Sequence, residues 1–233
     1  GGAWNWNGIA PNYGRAFRCT VSALNACREY RVPEVFCTAW MDNGSETPLD
    51  AVYPGMVLFA YLGFHQEVCK EELRQEFADC VGGRLEDFWQ LDAFDSLFTG
   101  MGENMGSNNP SKYGLYQDAM LGLFDDHLRG IDTGTYYGEL AEKMASCAKT
   151  SPAYADLFAF YEEFARVLAR KADLGIRIKA AYDADDRAAL QAICTADIPE
   201  AMEHLQKMKL LREQLWMKDA KPFGYELLDI KLG

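Results

Sequence analysis

The sequence predicts a mostly α-helical chain in which two strand–helix units precede a bundle of helices. Short apolar runs alternate with helical patterns up to about residue 66, and nearly everything after it has helical periodicity. The predicted domains are therefore residues 1–66 and residues 67–233. With 233 residues, of which 49% are hydrophobic and 25% charged, the chain can bury a sizeable core.

The first 66 residues follow the order strand, helix, strand and helix. Residues 1–6 are short, small and aromatic, which suits the end of a buried strand. Residues 15–30 place Phe17, Val21 and Leu24 on one helical face. Residues 34–40 are rich in β-branched and aromatic side chains, which predicts a second buried strand. Residues 49–64 return to a helical pattern that Pro54 interrupts.

This order of elements is the repeating unit of a parallel α/β sheet or barrel. A parallel sheet is buried on both faces and needs more strands than these two. We therefore expect residues 1–66 to be a fragment of something larger. Because an exposed parallel edge favours association of copies, the sequence leaves a homodimer open.

The clearest helical pattern of the second part lies at residues 153–182, where apolar residues recur at steps of three and four from Leu157 to Ile178. Residues 199–219 carry a second stripe that includes Met208 and Leu215. Two such stripes can bury each other, so the sequence predicts an antiparallel helical bundle. Shorter helices are predicted at residues 70–80, 85–94, 136–149 and 185–194.

Two segments of the second part lack a helical pattern. Residues 100–112 are rich in Gly and Asn, which suits an irregular loop. Residues 224–232 alternate apolar and polar side chains, and this alternation predicts a terminal strand.

The charge and the cysteines narrow the classes of function. Thirty-five acidic against 23 basic residues give a net charge of −12, so neither nucleic acid nor a membrane surface is an expected partner. No run approaches the ~20 apolar residues of a membrane span. Seven cysteines without a Cys-x-x-Cys pair suit reduced thiols in a cytoplasm. His65, His127 and His204 stand far apart in sequence, so we expect neither a metal site nor a cofactor.

Two clusters of aromatic and short polar residues each follow a predicted strand, where parallel α/β folds carry their ligand groups. A Trp can stack on the apolar face of a pyranose ring, and short amides and carboxylates can hydrogen-bond its hydroxyls. The clusters therefore favour a sugar site, although buried tryptophans and ordinary Asn-Gly turns would give the same residues. They are Trp4-Asn5-Trp6-Asn7-Gly8 and Trp40-Met41-Asp42-Asn43-Gly44-Ser45-Glu46.

Longer stretches around these clusters resemble glycoside hydrolase family 20, the β-N-acetylhexosaminidases. Residues 3–11 and 38–48 look like the ends of barrel strands seven and eight in that family. The resemblance is to a bacterial branch with an extra helical domain after the barrel, and it spans nearly the whole chain. The C-terminal region of that branch is similar to residues 109–113, Gln117-Asp118, residues 121–125 and residues 221–233.

The resemblance implies that residues 1–66 are the last two units of a (β/α)8 catalytic barrel and that residues 67–233 are a C-terminal α-helical domain. It implies a retaining exo-hydrolase that removes terminal N-acetylglucosamine or N-acetylgalactosamine by substrate assistance, an exception to the two-carboxylate scheme. In that family an Asp-Glu pair after the fourth strand orients the acetamide and protonates the leaving oxygen. This sequence has no His-x-Gly-Gly-Asp-Glu segment, so we expect no catalytic residue in the chain and no activity of the chain alone.

By the same resemblance, Trp40 helps to form the hydrophobic wall of the terminal-sugar pocket, and Asp42 accepts hydrogen bonds from the outer hydroxyls of that sugar. At strand seven many relatives carry Trp-Tyr-x-Asp, whereas this chain has Trp4-Asn5-Trp6-Asn7. The resemblance therefore implies only sugar contacts for Trp4, Trp6 and Asn7. The implied partner of the full-length parent is a carbohydrate with a terminal N-acetylhexosamine.

Two other interpretations stay open from the sequence. The amphipathic helices and the acidic surface also suit a non-catalytic helical module that binds a protein partner or a second copy of itself. A different barrel glycosidase would show the same order of strands and helices.

Overall fold

A computed structural model of the chain describes residues 2–3, 8–40, 42–97 and 109–233, without the side chains of residues 42 and 43. Over these residues the chain is mostly helical, which confirms that part of the predicted fold class. The chain forms two compact units, Gly1–Asn108 with Cys147–Ala155, and Asn109–Ser146 with Asp156–Gly233. The predicted domain boundary at residue 66 lies within the first unit, and that division stays a prediction. In the described ranges we find no helix long and apolar enough to cross a bilayer.

The elements of the first unit are α1 (Tyr13–Glu29), α2 (Asp42–Ser45), a 3-10 turn at Leu49–Val52, α3 (Tyr53–Phe64), α4 (Lys70–Val81), α5 (Leu85–Trp89) and a 3-10 helix at Gln90–Asp95. Helix α1 contacts α3, α3 contacts α4, and α4 contacts α5. Large side chains that are fully buried fill the first unit, among them Tyr13, Leu58, Tyr61, Phe77 and Phe88.

The first turn of α1 is completed by a carboxylate that is distant in sequence. A helix leaves its first amide groups without helical partners. Asn12 Oδ1 accepts a hydrogen bond from the Arg15 amide at 3.0 Å. Asp92 Oδ1 accepts from the Tyr13 amide at 2.7 Å and from the Gly14 amide at 3.3 Å. The 3-10 helix that carries Asp92 therefore fixes where α1 begins.

The helical pattern of residues 49–64, predicted to be interrupted at Pro54-Gly55, is divided just before Pro54, which lies in the first turn of α3. The residues before it form a separate 3-10 turn, Leu49–Val52. Proline suits the first turn of a helix, because the amide hydrogen that it lacks would have no helical partner there.

Residues 34–40 do not form the predicted buried strand. Val35 and Phe36 are 45% and 76% exposed. Within the described ranges no strand forms, and the one β-bridge joins Thr38 to Gly2 in the parallel direction. A buried parallel strand needs partner strands along its length and cover on both faces. One bridge does not supply them, so the prediction of a buried strand is wrong for this chain by itself.

In the second unit, the apolar stripe predicted on the long helix is confirmed along α9. Leu157, Phe160, Tyr161, Phe164 and Leu168 are all 1% exposed or less. The elements here are α6 (Pro110–Tyr116), α7 (Asp125–Leu128), α8 (Thr133–Thr150, whose last turn belongs to the first unit), α9 (Ala155–Lys171), α10 (Leu174–Asp183), α11 (Arg187–Ala192), a π-helical turn at Ile193–Asp197, α12 (Ile198–Asp219) and α13 (Glu226–Leu232).

The predicted antiparallel packing of the two long helices follows from their polar contacts. His204 Nδ1 on α12 lies 2.6 Å from Glu163 Oε2 on α9. Arg170, further along α9, contacts Glu200 at 3.0 Å, which lies earlier on α12. Residue numbers rise on one helix as they fall on the other, so α9 and α12 run antiparallel.

The helix predicted at residues 153–182 is divided in two, because α9 ends at Lys171 and α10 begins at Leu174. The Gln117 side chain donates to the Ala172 carbonyl at 3.1 Å, which gives that carbonyl a partner outside the helix. Gly175 then allows a close approach, since a Cβ there would lie 2.4 Å from the Ala119 carbonyl oxygen. The division is thus made by a segment more than 50 residues earlier in the chain.

The terminal strand predicted at residues 224–232 is wrong, because this segment forms helix α13. Its buried residues, Tyr225, Leu228 and Leu232, are spaced by three and four, which is helical periodicity. The loop predicted at residues 100–112 lies mostly outside the described residues, and its last residues from Pro110 begin α6.

Candidate functional site

The two predicted strand ends meet at one point that the structure describes. Gly2 and Thr38 form the parallel bridge, and the Ala3 amide donates to the Thr38 carbonyl at 2.9 Å. Residues 2–3 and 38 therefore run side by side in the same direction. The predicted sugar contacts of the second cluster begin two residues after Thr38, at Trp40.

Trp40 is the predicted contact whose side chain the structure describes. Its Nε1 donates to the Thr38 hydroxyl at 2.8 Å, and the side chain is 54% exposed. The indole N–H therefore has a partner within the protein, while part of the ring is open to solvent. An anchored and exposed indole can stack on the apolar face of a sugar ring.

Asp42 begins the short helix α2, whose last residues Gly44 and Ser45 have φ values of 82° and 58°. The Asp42 side chain lies outside the described residues, and so do Trp4, Trp6 and Asn7. Their predicted contacts with sugar stay predictions. We call the surface around Trp40 and the start of α2 the rim.

Buried polar side chains hold the backbone beside the rim. The Thr47 hydroxyl donates to the Gly8 carbonyl, and the Tyr13 hydroxyl donates to the Ala51 carbonyl at 2.7 Å. At Gly55 a Cβ would lie 3.0 Å from the Ala3 Cβ, so this glycine permits the close approach of α3 to the first segment. These contacts fix Ala3, Gly8 and Tyr13 against the segment that follows the rim.

Sequence reasoning gave no role to Glu46, which directly follows α2. This carboxyl group belongs to a residue that is 3% exposed, and buried carboxylates are uncommon without a hydrogen-bonding or charged partner. In the sequence, Glu46 stands at the end of the second aromatic and polar cluster.

Cys37 lies three residues before Trp40 in the sequence. Burial raises the pKa of its thiol, which keeps this group neutral at ordinary pH.

A second feature of the first unit is a groove between α1, the start of α4 and the α5 region. Its larger cavity has a volume of about 680 Å³, and a neighbouring cavity of about 380 Å³ shares Phe17, Val68, Lys70, Trp89 and Gln90 with it. Trp89 is 38% exposed and packs edge to face on Phe17, with ring centroids 4.4 Å apart. The sequence predicts Trp89 to be part of a helix and indicates no function for it.

In the ranges that the structure describes, no group of three or more His, Cys, Asp or Glu side chains is placed so that it could hold a metal ion. Cys147 is buried, and burial followed by the charge of Asp87 raises its pKa to about 12. A thiol with that pKa is not a nucleophile near neutral pH.

Comparison with known protein families adds to this geometry. A family model described as the Glycoside Hydrolase 20C C-terminal domain matches residues 86–233. Among curated proteins, no sequence matches the chain. The matched range contains the segments at residues 109–125 and 221–233 on which the resemblance to family 20 partly rests. The resemblance to the C-terminal part of a family 20 enzyme is thereby confirmed.

Proposed function

Because the chain belongs to the Glycoside Hydrolase 20C C-terminal domain family, we propose that it is the C-terminal part of an exo-acting β-N-acetylhexosaminidase. The family match over residues 86–233 carries this proposal. The full-length parent removes terminal N-acetylglucosamine or N-acetylgalactosamine from a carbohydrate with retention of configuration. The acetamido oxygen of the substrate attacks the anomeric carbon, and the general acid comes from the barrel of the parent.

In this proposal residues 1–66 are two βα units that complete the catalytic barrel. The parallel bridge between Gly2 and Thr38 supports it, because neighbouring barrel strands are parallel. The exposure of Val35 and Phe36 supports it too, since neighbouring strands and helices would cover both faces of a barrel strand. The rim and the first aromatic cluster, at residues 4–8, then lie at the carboxyl ends of two neighbouring strands, where barrel enzymes bind substrate.

In this proposal the residues of this chain bind the sugar, and other residues of the parent's barrel transfer the proton. Trp40 presents its half-exposed ring to the apolar face of the terminal sugar, held by its bond to Thr38. Asp42 accepts hydrogen bonds from the outer hydroxyls of that sugar. Trp4, Trp6 and Asn7 contribute further contacts from the neighbouring strand end.

The chain alone is expected to show no turnover of a chromogenic N-acetyl-β-glucosaminide, whereas the full-length parent turns it over. General acid catalysis needs a proton donor within hydrogen-bond reach of the leaving oxygen, and the Asp-Glu pair lies outside this sequence. The two proteins are purified in parallel and assayed at equal molar concentration. Turnover by the chain that survives removal of contaminating enzyme would contradict the proposal.

A second candidate function is a non-catalytic helical module that binds a protein or a second copy of this chain. The exposure of Met120, Leu121 and Leu123, at 80%, 71% and 73%, favours it, because clustered exposed apolar side chains often mark interaction surfaces. The assay of the full-length parent separates the two functions. A parent that lacks hexosaminidase activity would favour the module.

A further inference from the structure

The groove between α1, the start of α4 and the α5 region combines an aromatic floor with basic side chains. Phe17 and Trp89 form the floor, and Leu73 and Leu85, both buried, line its narrower end. Val68 and Trp89 line both neighbouring cavities, so the depression is continuous, with volumes of about 680 and 380 Å³ for its two parts. A depression of this volume has room for more than one sugar ring.

The net charge of the groove lining is opposite in sign to the net charge of the chain. Arg18, Lys70 and Arg74 line the groove, together with Glu86 and Asp92. The chain as a whole carries a net charge of −12, so a lining with three basic and two acidic side chains is a local reversal. A groove of this kind attracts anions, while the rest of the surface repels them.

Both acids of the groove already have partners in the protein. Asp92 Oδ1 accepts from the Tyr13 and Gly14 amides, and Glu86 forms an ion pair with Arg74. Arg18 and Lys70 are exposed at the opening of the larger cavity. The lining of the larger cavity thus holds two basic side chains and one acidic one, and this net charge favours a carboxylate over a neutral ligand.

From this arrangement we infer that the groove binds an acidic oligosaccharide, in which carboxylate-bearing hexuronates accompany N-acetylhexosamines. Arg18 and Lys70 pair with a ligand carboxylate, and Trp89 and Phe17 contact the apolar face of a neighbouring sugar ring. The Ser96 hydroxyl, which donates to the Asp92 carbonyl, keeps lone pairs that accept a bond from a sugar hydroxyl. This inference rests on the proposed function for its ligand class and assigns that class to a site away from the rim.

The inference is tested by calorimetric titration of the full 233-residue chain with a hyaluronan tetrasaccharide, in which glucuronate alternates with N-acetylglucosamine. We expect binding that is at least about tenfold tighter than that of the neutral N-acetylglucosamine tetramer. Two exposed charge reversals, Arg18→Glu with Lys70→Glu, are expected to weaken hyaluronan binding by about tenfold or more. Equal affinity for the neutral tetramer, or no binding of either sugar, would overturn the inference.

Matched controls separate a specific site from a general attraction of polyanions. Lys143→Glu with Lys179→Glu changes the net charge by the same amount on exposed positions outside the groove, and we expect it to leave hyaluronan affinity nearly unchanged. Dextran sulfate that binds as tightly as hyaluronan, or a control variant that loses as much affinity, would also overturn the inference. Trp40→Ala should leave hyaluronan binding to the groove intact, because Trp40 belongs to the rim. Groove binding is measured on the chain and hexosaminidase turnover on the full-length parent, so the failure of one is distinguishable from the failure of the other.

Discussion

Replacing Asp42 with Asn in the full-length parent is expected to lower kcat/KM roughly ten- to a hundredfold. In the proposed function an ionised carboxylate accepts two bonds from sugar hydroxyls beside Trp40, and charge-assisted bonds of this kind contribute roughly 1.5–3 kcal/mol each. Asn keeps the shape but loses the charge and part of the accepting capacity. The measurement is steady-state hydrolysis of a chromogenic N-acetyl-β-glucosaminide by both proteins.

The thermal melting temperature of the same variant serves as the control. Gly44 and Ser45 follow Asp42 with φ values of 82° and 58°, so the segment makes a tight turn. Asn forms such turns nearly as well as Asp, and the melting temperature should therefore change little. If Asp42 acts only as a turn former, the substitution is silent in both assays, and an unchanged kcat/KM would exclude a role in binding sugar.

Replacing Asp92 with Ala is expected to lower the free energy of unfolding of the chain by about 3 kcal/mol. Asp92 is 7% exposed, and its Oδ1 accepts from the amides of Tyr13 and Gly14 at 2.7 and 3.3 Å. Alanine would leave two amides at the buried start of α1 without that acceptor. Urea denaturation followed by circular dichroism measures the change.

Two further variants show whether the bonds to α1 cause this loss. Asp92→Asn keeps an oxygen acceptor without the charge, so its loss should be smaller, about 1 kcal/mol. Asp126→Ala removes an acid whose side chain is 92% exposed, and it should change stability by less than about 0.5 kcal/mol. Equal losses for Asp92→Ala and Asp126→Ala would contradict the role of Asp92 at the start of α1.

The sequence predicted the helices best where local pattern and burial agree. The helix predicted at residues 70–80 is observed as Lys70–Val81, because Leu73 and Phe77 lie four residues apart and both are buried. The stripe on α9 was predicted for the same reason. In both helices the buried residues recur at the helical spacing that the sequence shows directly.

The predictions of secondary structure are wrong where contacts with distant residues determine the local structure. The helix broken after Lys171 depends on Gln117, which donates to the Ala172 carbonyl from 55 residues away. The alternation of apolar residues in the terminal segment predicts a strand, yet the residues that become buried, Leu228 and Leu232, are four apart. Residues 34–40 have strand-like composition, but composition does not supply the neighbouring strands that a parallel sheet requires.

The candidate site was predictable only in part. The sequence predicts a ligand group at Trp40, since an aromatic residue after a strand end in an α/β pattern suggests one, and this residue is 54% exposed. Its contact with sugar stays a prediction. A role for Trp89 could not be predicted, because a Trp inside a helical pattern is usually core. Its partial exposure results from the way α1 and α4 leave a groove beside α5, and that geometry has no local signal in the sequence.

The proposed substrate-assisted hexosaminidase activity of the parent is tested by comparing two substrates that differ in one group. The full-length parent is assayed with the para-nitrophenyl glycosides of N-acetyl-β-glucosamine and β-glucose. We expect kcat/KM for the glucoside to be lower by about a thousandfold or more, because it lacks the acetamido oxygen that acts as a positioned nucleophile. Comparable kcat/KM values for the two glycosides would contradict substrate assistance by the acetamido group.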